Sequence, residues 1–350
     1  MTASEKPRAT PRVAPHDIML ETFCFRETDA RPHNLYLHMI SEDVRNRLDA
    51  HYGGPEWIER ITQYIYGSMW CGGQRTDIGG GMERDSFGSV FRKGNVTHRY
   101  KIPLKTPSLS GYMWPKPESL ADWDDLAAKY KDNSHSFRLN GVAYGYFERS
   151  MFLRGFENIM VDMEDHPGFV HELLDAYLEL RLKAYQLMCQ RLEFDAIFGG
   201  GDDCDNRGPM MGLERWRKFI KPRLKREIQQ AHDLGKPYIC HECGNVMPIL
   251  DDLLEIGIDA LDPLQPEPMD IYTLKKKVSG RLVLFGGMGS QSTLPFGTPV
   301  SVKAETERLM REMGLGGGYI IQPAKPIRDE VPTENAVAFI ETALAATNNI

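Results

Sequence analysis

The chain has 350 residues, 41% hydrophobic and 26% charged, with a net charge of -7, the profile of a globular protein able to bury one large core or two modest ones. The acidic balance, with no basic stripe interleaved with aromatics, excludes nucleic acid as the main partner, and no apolar run reaches the length of a membrane span. Six cysteines are scattered without a regular framework, which implies reduced thiols and a cytoplasmic protein.

Residues 1–17 are polar, carry Pro7, Pro11 and Pro15, and contain no apolar signal-like region. They are expected to be a flexible tail or an arm on a neighbouring copy, which leaves a homodimer open. Residues 18–350 are expected to form a single domain. A first strand is expected within 34–39. Ser41 reads as the N-cap of a helix that stops at Gly53-Gly54. A second helix is expected over 55–65. Glycines then punctuate 72–117 in the manner of hairpins and loops, and a helix follows over 119–130.

From about residue 138 the pattern alternates. Strands are expected at 139–146, 195–198, around 238–241, and at 260–261, 282–285 and 319–321. Helices are expected at 169–191, 213–234, 246–255, 271–278, 302–313 and 334–345. Glu214, Glu227 and Asp251 fall on these helices and read as solvated, and Asp85 reads as a turn residue. Short apolar strands separated by helices imply a parallel sheet buried on both faces. A doubly wound sheet fits the alternation too, but no Gly-x-Gly-x-x-Gly turn opens a helix after the first strand. Polar or Gly-rich residues also end nearly every strand, as a barrel mouth requires. The expected fold is therefore α/β, a (β/α)8 TIM barrel with an N-terminal elaboration.

Those strand ends hold the chemistry. In the strand that runs into His241-Glu242-Cys243-Gly244-Asn245, residues two apart share a face. Ile239, His241 and Cys243 should point one way, and Tyr238, Cys240 and Glu242 the other. An imidazole and a thiolate on one face can reach a single ion, and both suit zinc. The other strand ends offer Asp202, Asp203 and Cys204; Asp262 and Gln265; Met288; and Gln322 with Lys325. If extended, Asp202 and Asp203 face opposite ways, so one of them reaches the pocket. No nucleophile elbow and no phosphate-cradling Gly-rich loop is present.

These segments resemble a known group. Gly201-Asp202-Asp203, the helix from Trp216 to Lys225, His241-Glu242-Cys243-Gly244-Asn245, Leu261-Asp262-Pro263-Leu264-Gln265-Pro266, Phe285-Gly286-Gly287, Gly318-Tyr319-Ile320-Ile321 and Val331-Pro332-Thr333-Glu334-Asn335 together resemble the uroporphyrinogen decarboxylase superfamily over about residues 29–345. The resemblance implies a single (β/α)8 barrel and one of two chemistries. The true decarboxylases need no cofactor. They carry an Arg-Gln-Ala-Gly-Arg-Tyr type segment near the N-terminus and a Gly-His-Gly turn after the last strand. Residues 23–36 hold nothing like the first, and Lys325 stands where the His of the second would be.

The other branch, the corrinoid-dependent methyltransferases, binds zinc (Zn2+) through a His-x-Cys pair like His241 and Cys243 plus a further ligand. It moves a methyl group between a small molecule, such as a methyl ether or a thiol, and a corrinoid (cobalamin) on a partner protein. In its coenzyme M members the third ligand is a later Cys, which would also fall near Lys325; no cysteine follows Cys243. The third metal ligand is therefore expected to be Asp203, with Cys204 the other candidate. The resemblance further implies that Asp262 or Gln265 orients the substrate, and that Asp202, Met288, Gln322 and Lys325 line its pocket. The chain has no Asp-x-His-x-x-Gly corrinoid-binding segment, so the corrinoid would arrive on a corrinoid-binding protein. The alternative is a cofactor-independent decarboxylase, a lyase of a carboxylated small molecule.

Overall fold

Apolar strands of three to six residues, most of them buried along their length, form the centre of the molecule. The computed structural model describes residues 13–28, 30–35, 39–67, 71–93 and 98–345. In chain order the strands are β1 (Ile65–Gly67), β2 (Arg75–Gly79), β3 (Met82–Asp85), β4 (Val90–Arg92), β5 (His98–Lys101), β6 (Phe137–Asn140), β7 (Ala196–Gly200), β8 (Cys204–Asp205), β9 (Gly208–Pro209), β10 (Tyr238–His241), β11 (Ala260–Leu264), β12 (Val283–Met288) and β13 (Tyr319–Pro323). Among the described residues, one parallel sheet has the order β1-β6-β7-β10-β11-β12-β13. His33 adds a parallel bridge to Ile321 beyond β13. Its ring meets Tyr64, just ahead of β1, edge-on at 4.9 Å, so the two margins of the sheet come together and the expected barrel forms.

The strands' alternation sorts their side chains into two cores. Ile65, Phe137, Leu139, Ala196, Ile239, Ala260, Val283, Phe285 and Ile320 fill the lumen. Tyr238, Cys240, Leu261, Leu284 and Ile321 point outward into a larger layer shared with the surrounding helices. The helix Pro15–Phe23 plugs the lumen's N-terminal end with Ile18 and Met19, and Phe23 stacks on Phe137 at 5.0 Å. Of the expected tail, residues 1–12 lie outside the described residues, whereas Pro15–Asp17 already belong to this helix. The open C-terminal end of the lumen is left for the site.

Local signals account for several boundaries. Ser41 caps the helix Glu42–Tyr52, accepting from Val44 N at 3.4 Å, and Asp270 caps Ile271–Val278. Elsewhere the structure differs from expectation. Residues 55–65 hold a short helix, Trp57–Ile61, and then the first barrel strand. The expected strand 139–146 ends at Asn140, and two helices follow, Tyr146–Arg154 and Phe156–Asp165. The expected helix 213–234 contains a π segment, Trp216–Ile220. The elaboration is an antiparallel sheet of β2 to β5. A buried ion pair between Arg149 and Asp85 at 2.6 Å fastens it to the barrel, and the Asp85 carboxylate also accepts from Phe87 N and Ser89 N in its turn. No helix among the described residues is long and apolar enough to cross a membrane.

His33 is fully buried, and neither ring nitrogen has a hydrogen-bond partner. Burial pushes its pKa from 6.5 down to about 3. Below pH 6.5 the unfolded chain takes up a proton that the folded chain refuses, so this residue should erode stability as pH falls toward about 3, by about 1.4 kcal/mol per pH unit. Urea unfolding at pH 5 and pH 7 should show the stability difference shrinking in His33→Phe; equal differences in the two proteins would remove His33 as its source.

Candidate functional site

The site is built where the staves β7, β10, β11 and β13 end. His241 closes β10 and lies in register with Gly200 of β7 on one side and Asp262 of β11 on the other. Gly200 makes the approach to β7 feasible. Its φ is +88°, and a Cβ there would stand 2.5 Å from the His241 carbonyl oxygen. Past β10 the chain turns at Gly244, φ +77°, where a Cβ would meet the Asp205 carbonyl oxygen at 2.4 Å. This turn brings Cys243 back beside His241, with Sγ 3.5 Å from Nε2.

Asp202, just beyond β7, completes a cluster. Its Oδ1 lies 3.4 Å from His241 Nε2, and the donor atoms of Asp202, His241 and Cys243 all fall within 4.8 Å of one another. Asp202 Oδ1 is buried and makes no hydrogen bond. The other ring nitrogen, Nδ1, lies 3.1 Å from Asp262 Oδ2. A carboxylate can only accept, so this bond keeps a proton on Nδ1 and leaves Nε2, which faces Cys243 and Asp202, as the nitrogen whose lone pair a metal would take. Asp262 in turn accepts from Gln322 Nε2, and Gln322 accepts from Asn34 Nδ2. A polar belt thus crosses from β10 through β11 and β13 to the segment holding His33.

These residues fit a metal. Tetrahedral zinc with ordinary ligand distances needs donors roughly 3.3–3.6 Å apart, and the two separations from Nε2 are 3.4 and 3.5 Å. Imidazole, thiolate and carboxylate form a zinc-type donor set, and the hydrogen-bonded Asp262 is the outer partner that such a histidine requires. Lys325 Nζ lies 2.6 Å from Cys243 Sγ, so an ammonium already faces the sulfur.

The electrostatics are those of a dense charge cluster. Burial works against a charged His241, yet Cys243, Asp202 and Asp262 hold its pKa well above the ordinary value. Burial likewise opposes charge on Lys325, and Cys243 and Asp202 more than offset it, raising its pKa. Burial would raise the pKa of Asp202, but His241 and Lys325 carry it below the usual carboxylate range. Glu148, on the cavity wall, is pushed up to about 7 by burial and by Asp202.

The expected site residues divide into two layers. Asp202, His241, Cys243, Asp262, Gln322 and Lys325 line one cavity of about 580 Å³. Asp203 does not join them: its carboxylate faces away and accepts from Trp216 Nε1 at 3.0 Å. Glu242, also on the back of the strand, accepts from the backbone N–H groups of Asp203 and Cys204, each at 2.8 Å. Cys204 is buried in the outer core. Gln265 supports the turn by accepting from Gly244 N at 3.1 Å, and Met288 packs in the outer core; neither lines the cavity. Asn34, Tyr144, Glu148, Phe198 and Arg328 do line it and were not anticipated. Glu148 and Tyr144 were hidden because residues 139–146 read as one strand, which concealed a strand end between Asn140 and the helix that begins at Tyr146.

Comparisons with known proteins identify the family and the fold. The family model described as "Uroporphyrinogen decarboxylase (URO-D)" matches residues 131–345. A uroporphyrinogen decarboxylase of Neisseria meningitidis is 26% identical over 194 residues, 53% of this chain and 51% of that protein. The methylcobamide:CoM methyltransferase MtaA of Methanosarcina barkeri is 27% identical over 131 residues, 37% of this chain and 36% of that protein. The matches thus span about half or less of these curated relatives. A solved methyltransferase from Methanosarcina mazei superposes with a TM-score of 0.69 at 17% identity, covering 95% of this chain and 98% of that one, which shows a shared fold.

Gly200 is a direct test of the stave contact. Gly200→Ala should cost roughly 2–4 kcal/mol, because the added methyl strains the left-handed backbone and strikes β10. Chemical denaturation measures it. A loss below about 0.5 kcal/mol, the scale of an ordinary surface change, would show that β7 and β10 are not held this closely.

Proposed function

We propose, from the premise that the chain belongs to the uroporphyrinogen decarboxylase family, that it is a corrinoid-dependent methyltransferase with a zinc site at His241, Cys243 and Asp202. The observation that carries this reading is the convergence of three zinc-type donors at the barrel mouth, with Asp262 behind the histidine. Zinc, when bound there, would supply Lewis acidity to the oxygen of a methyl ether, which would give its methyl group to a corrinoid presented by a partner protein, or to the sulfur of a thiol, which would lose its proton and accept a methyl group from that corrinoid.

The protein's own residues have defined tasks. Asp262 keeps the proton on Nδ1 of His241, and Gln322 and Asn34 hold Asp262 in place. Lys325 stabilises negative charge on Cys243. Tyr144 and Phe198 wall the cavity and limit water access. Glu148, its pKa near 7, is suited to exchange a proton with the substrate heteroatom as the methyl group leaves or arrives.

A second reading draws on the decarboxylase relatives and on the Lys325–Cys243 contact, in which an ammonium already occupies the sulfur. It is a metal-free lyase acting on a carboxylated small molecule. Metal content separates the two. Purified protein should carry about one zinc per chain, as a three-ligand catalytic site does. Cys243→Ala should lose most of it, and Asp202→Ala should weaken binding about tenfold or more, with Asp203→Ala milder. Full metal in a His241→Ala, Cys243→Ala double variant would sink the zinc site.

The reaction has its own assay. Mixing the protein with cobalt(I) or methylcobalt(III) corrinoid and candidate methyl ethers or thiols should change the corrinoid absorption, and Cys243→Ala should lower kcat far more than corrinoid affinity. Carbon dioxide release from a carboxylated substrate by metal-free protein, with no corrinoid response, would install the lyase reading instead.

A further inference from the structure

We infer that the cavity selects a small organic monoanion with a flat apolar body, its charged end on Arg328 at the mouth and its reacting heteroatom toward His241, Cys243 and Asp202. This rests on the methyl-transfer reading of the same site. The size comes first. About 580 Å³ suits a compact ligand. Much of the wall is apolar, made by Val142, Ala143, Tyr144, Phe198 and Pro263, and the Phe198 ring stands 5.5 Å from that of His241. A planar body lying along Tyr144 and Phe198 would reach the donor cluster with its far end.

The charge balance comes second. The cavity's acids are Glu148, Asp202 and Asp262, and its permanent cations are Lys325 and Arg328. Lys325 is committed to Cys243 at 2.6 Å. The Arg328 guanidinium has no hydrogen-bond or ion-pair partner among the described residues. Its backbone is nonetheless fixed. The preceding Ile327 donates to Met39 O at 2.7 Å and accepts from Ser41 N at 2.9 Å, and Arg328 O accepts from Val331 N at 2.9 Å. An unpaired guanidinium fork carried on this fixed backbone at a cavity mouth matches one carboxylate. A second or third carboxylate on the same ligand would face Asp202, Asp262 or Glu148, with Lys325 committed to Cys243 and His241 committed to Asp262. The site therefore accepts one anionic group and rejects a polycarboxylate.

The test is calorimetric titration of the full chain, stripped of metal, at low salt. The probes are benzoate, the neutral benzyl alcohol, and benzene-1,3,5-tricarboxylate. Benzoate should bind more tightly than either of the others. Arg328→Gln should weaken benzoate about tenfold or more while leaving benzyl alcohol unchanged, and Arg328→Lys should restore part of the loss. Arg328 is exposed, so these variants should fold as the parent does. Benzoate affinity equal in the parent and Arg328→Gln, tighter binding of the tricarboxylate, or no benzoate binding in any form would each overturn the inference. The zinc content of the protein before stripping reads the methyl-transfer proposal independently, so failure of one is distinguishable from failure of the other.

Discussion

A single buried carboxylate, Glu227, holds the walls of the site in place from behind. It accepts from Arg181 Nη2 at 2.6 Å and Nε at 3.0 Å, from Tyr238 OH at 2.9 Å, and from the hydroxyls of Tyr146 and Tyr185. Burial alone would raise its pKa, but Arg181 and the phenols hold it below the ordinary value. These partners lie on β10 and on two helices, Tyr146–Arg154 and Pro167–Arg191, while Glu227 itself sits on a third, Lys221–Asp233. Arg181 then donates to the carbonyls of Val142 and Tyr144 at 3.1 and 2.8 Å, which fixes the loop that forms one cavity wall. A fully buried ion pair adds little net stability, but removing one partner typically costs about 3–5 kcal/mol because it strands the other charge. The network therefore makes the relative positions of β10, its helices and this loop strongly interdependent.

On the lumen side the same strand behaves differently. The outward residues of β10, Tyr238 and Cys240, meet the Glu227 network and the outer core. The inward residues, Ile239 and His241, meet the lumen core and the cavity. Beyond the strand the alternation persists. Cys243 faces the cavity, and Glu242 faces back to clamp the N–H groups of Asp203 and Cys204. That clamp, together with the Trp216 bond to Asp203, decides which of two adjacent aspartates enters the cavity. Trp216 opens the π segment of its helix, a local widening that in other proteins often accompanies a functional position.

On the proposed reading, Asp202 takes the place of a later cysteine as the third donor beside His241 and Cys243. A carboxylate from β7 approaches His241 from one side while Lys325, after β13, approaches Cys243. Asp202 and Asp262 bring negative charge, Lys325 and His241 bring positive charge, and the Cys243 sulfur lies between them. Such a cluster is stable only where each charged form is stabilised by its neighbours, since burial opposes charge on His241, Asp202 and Lys325 alike. The belt from Asp262 to Asn34 adds directional bonds that charge alone does not supply.

Much of this was legible from one dimension. Short apolar strands between helices pointed to a parallel barrel, the Ser41 cap marked one helix start, and the period of two placed His241 and Cys243 on one face, because each rests on local geometry and on burial that any water-excluding core enforces. The strand at Ile65–Gly67 escaped because three residues carry too little periodicity, and the break after Asn140 escaped because apolar and aromatic residues continue into the next helix. Glu227 looked solvated on a helix that is polar overall; only packing against Arg181 and three tyrosines revealed its burial. The choice of Asp202 over Asp203, the retreat of Gln265 and Met288 from the cavity, and the entry of Glu148 and Arg328 were likewise decided by the tertiary structure. Alternation says that two neighbours face opposite ways, but which way is set by contacts such as Trp216 with Asp203 and Glu242 with the backbone, between residues that the chain separates and only the fold brings together.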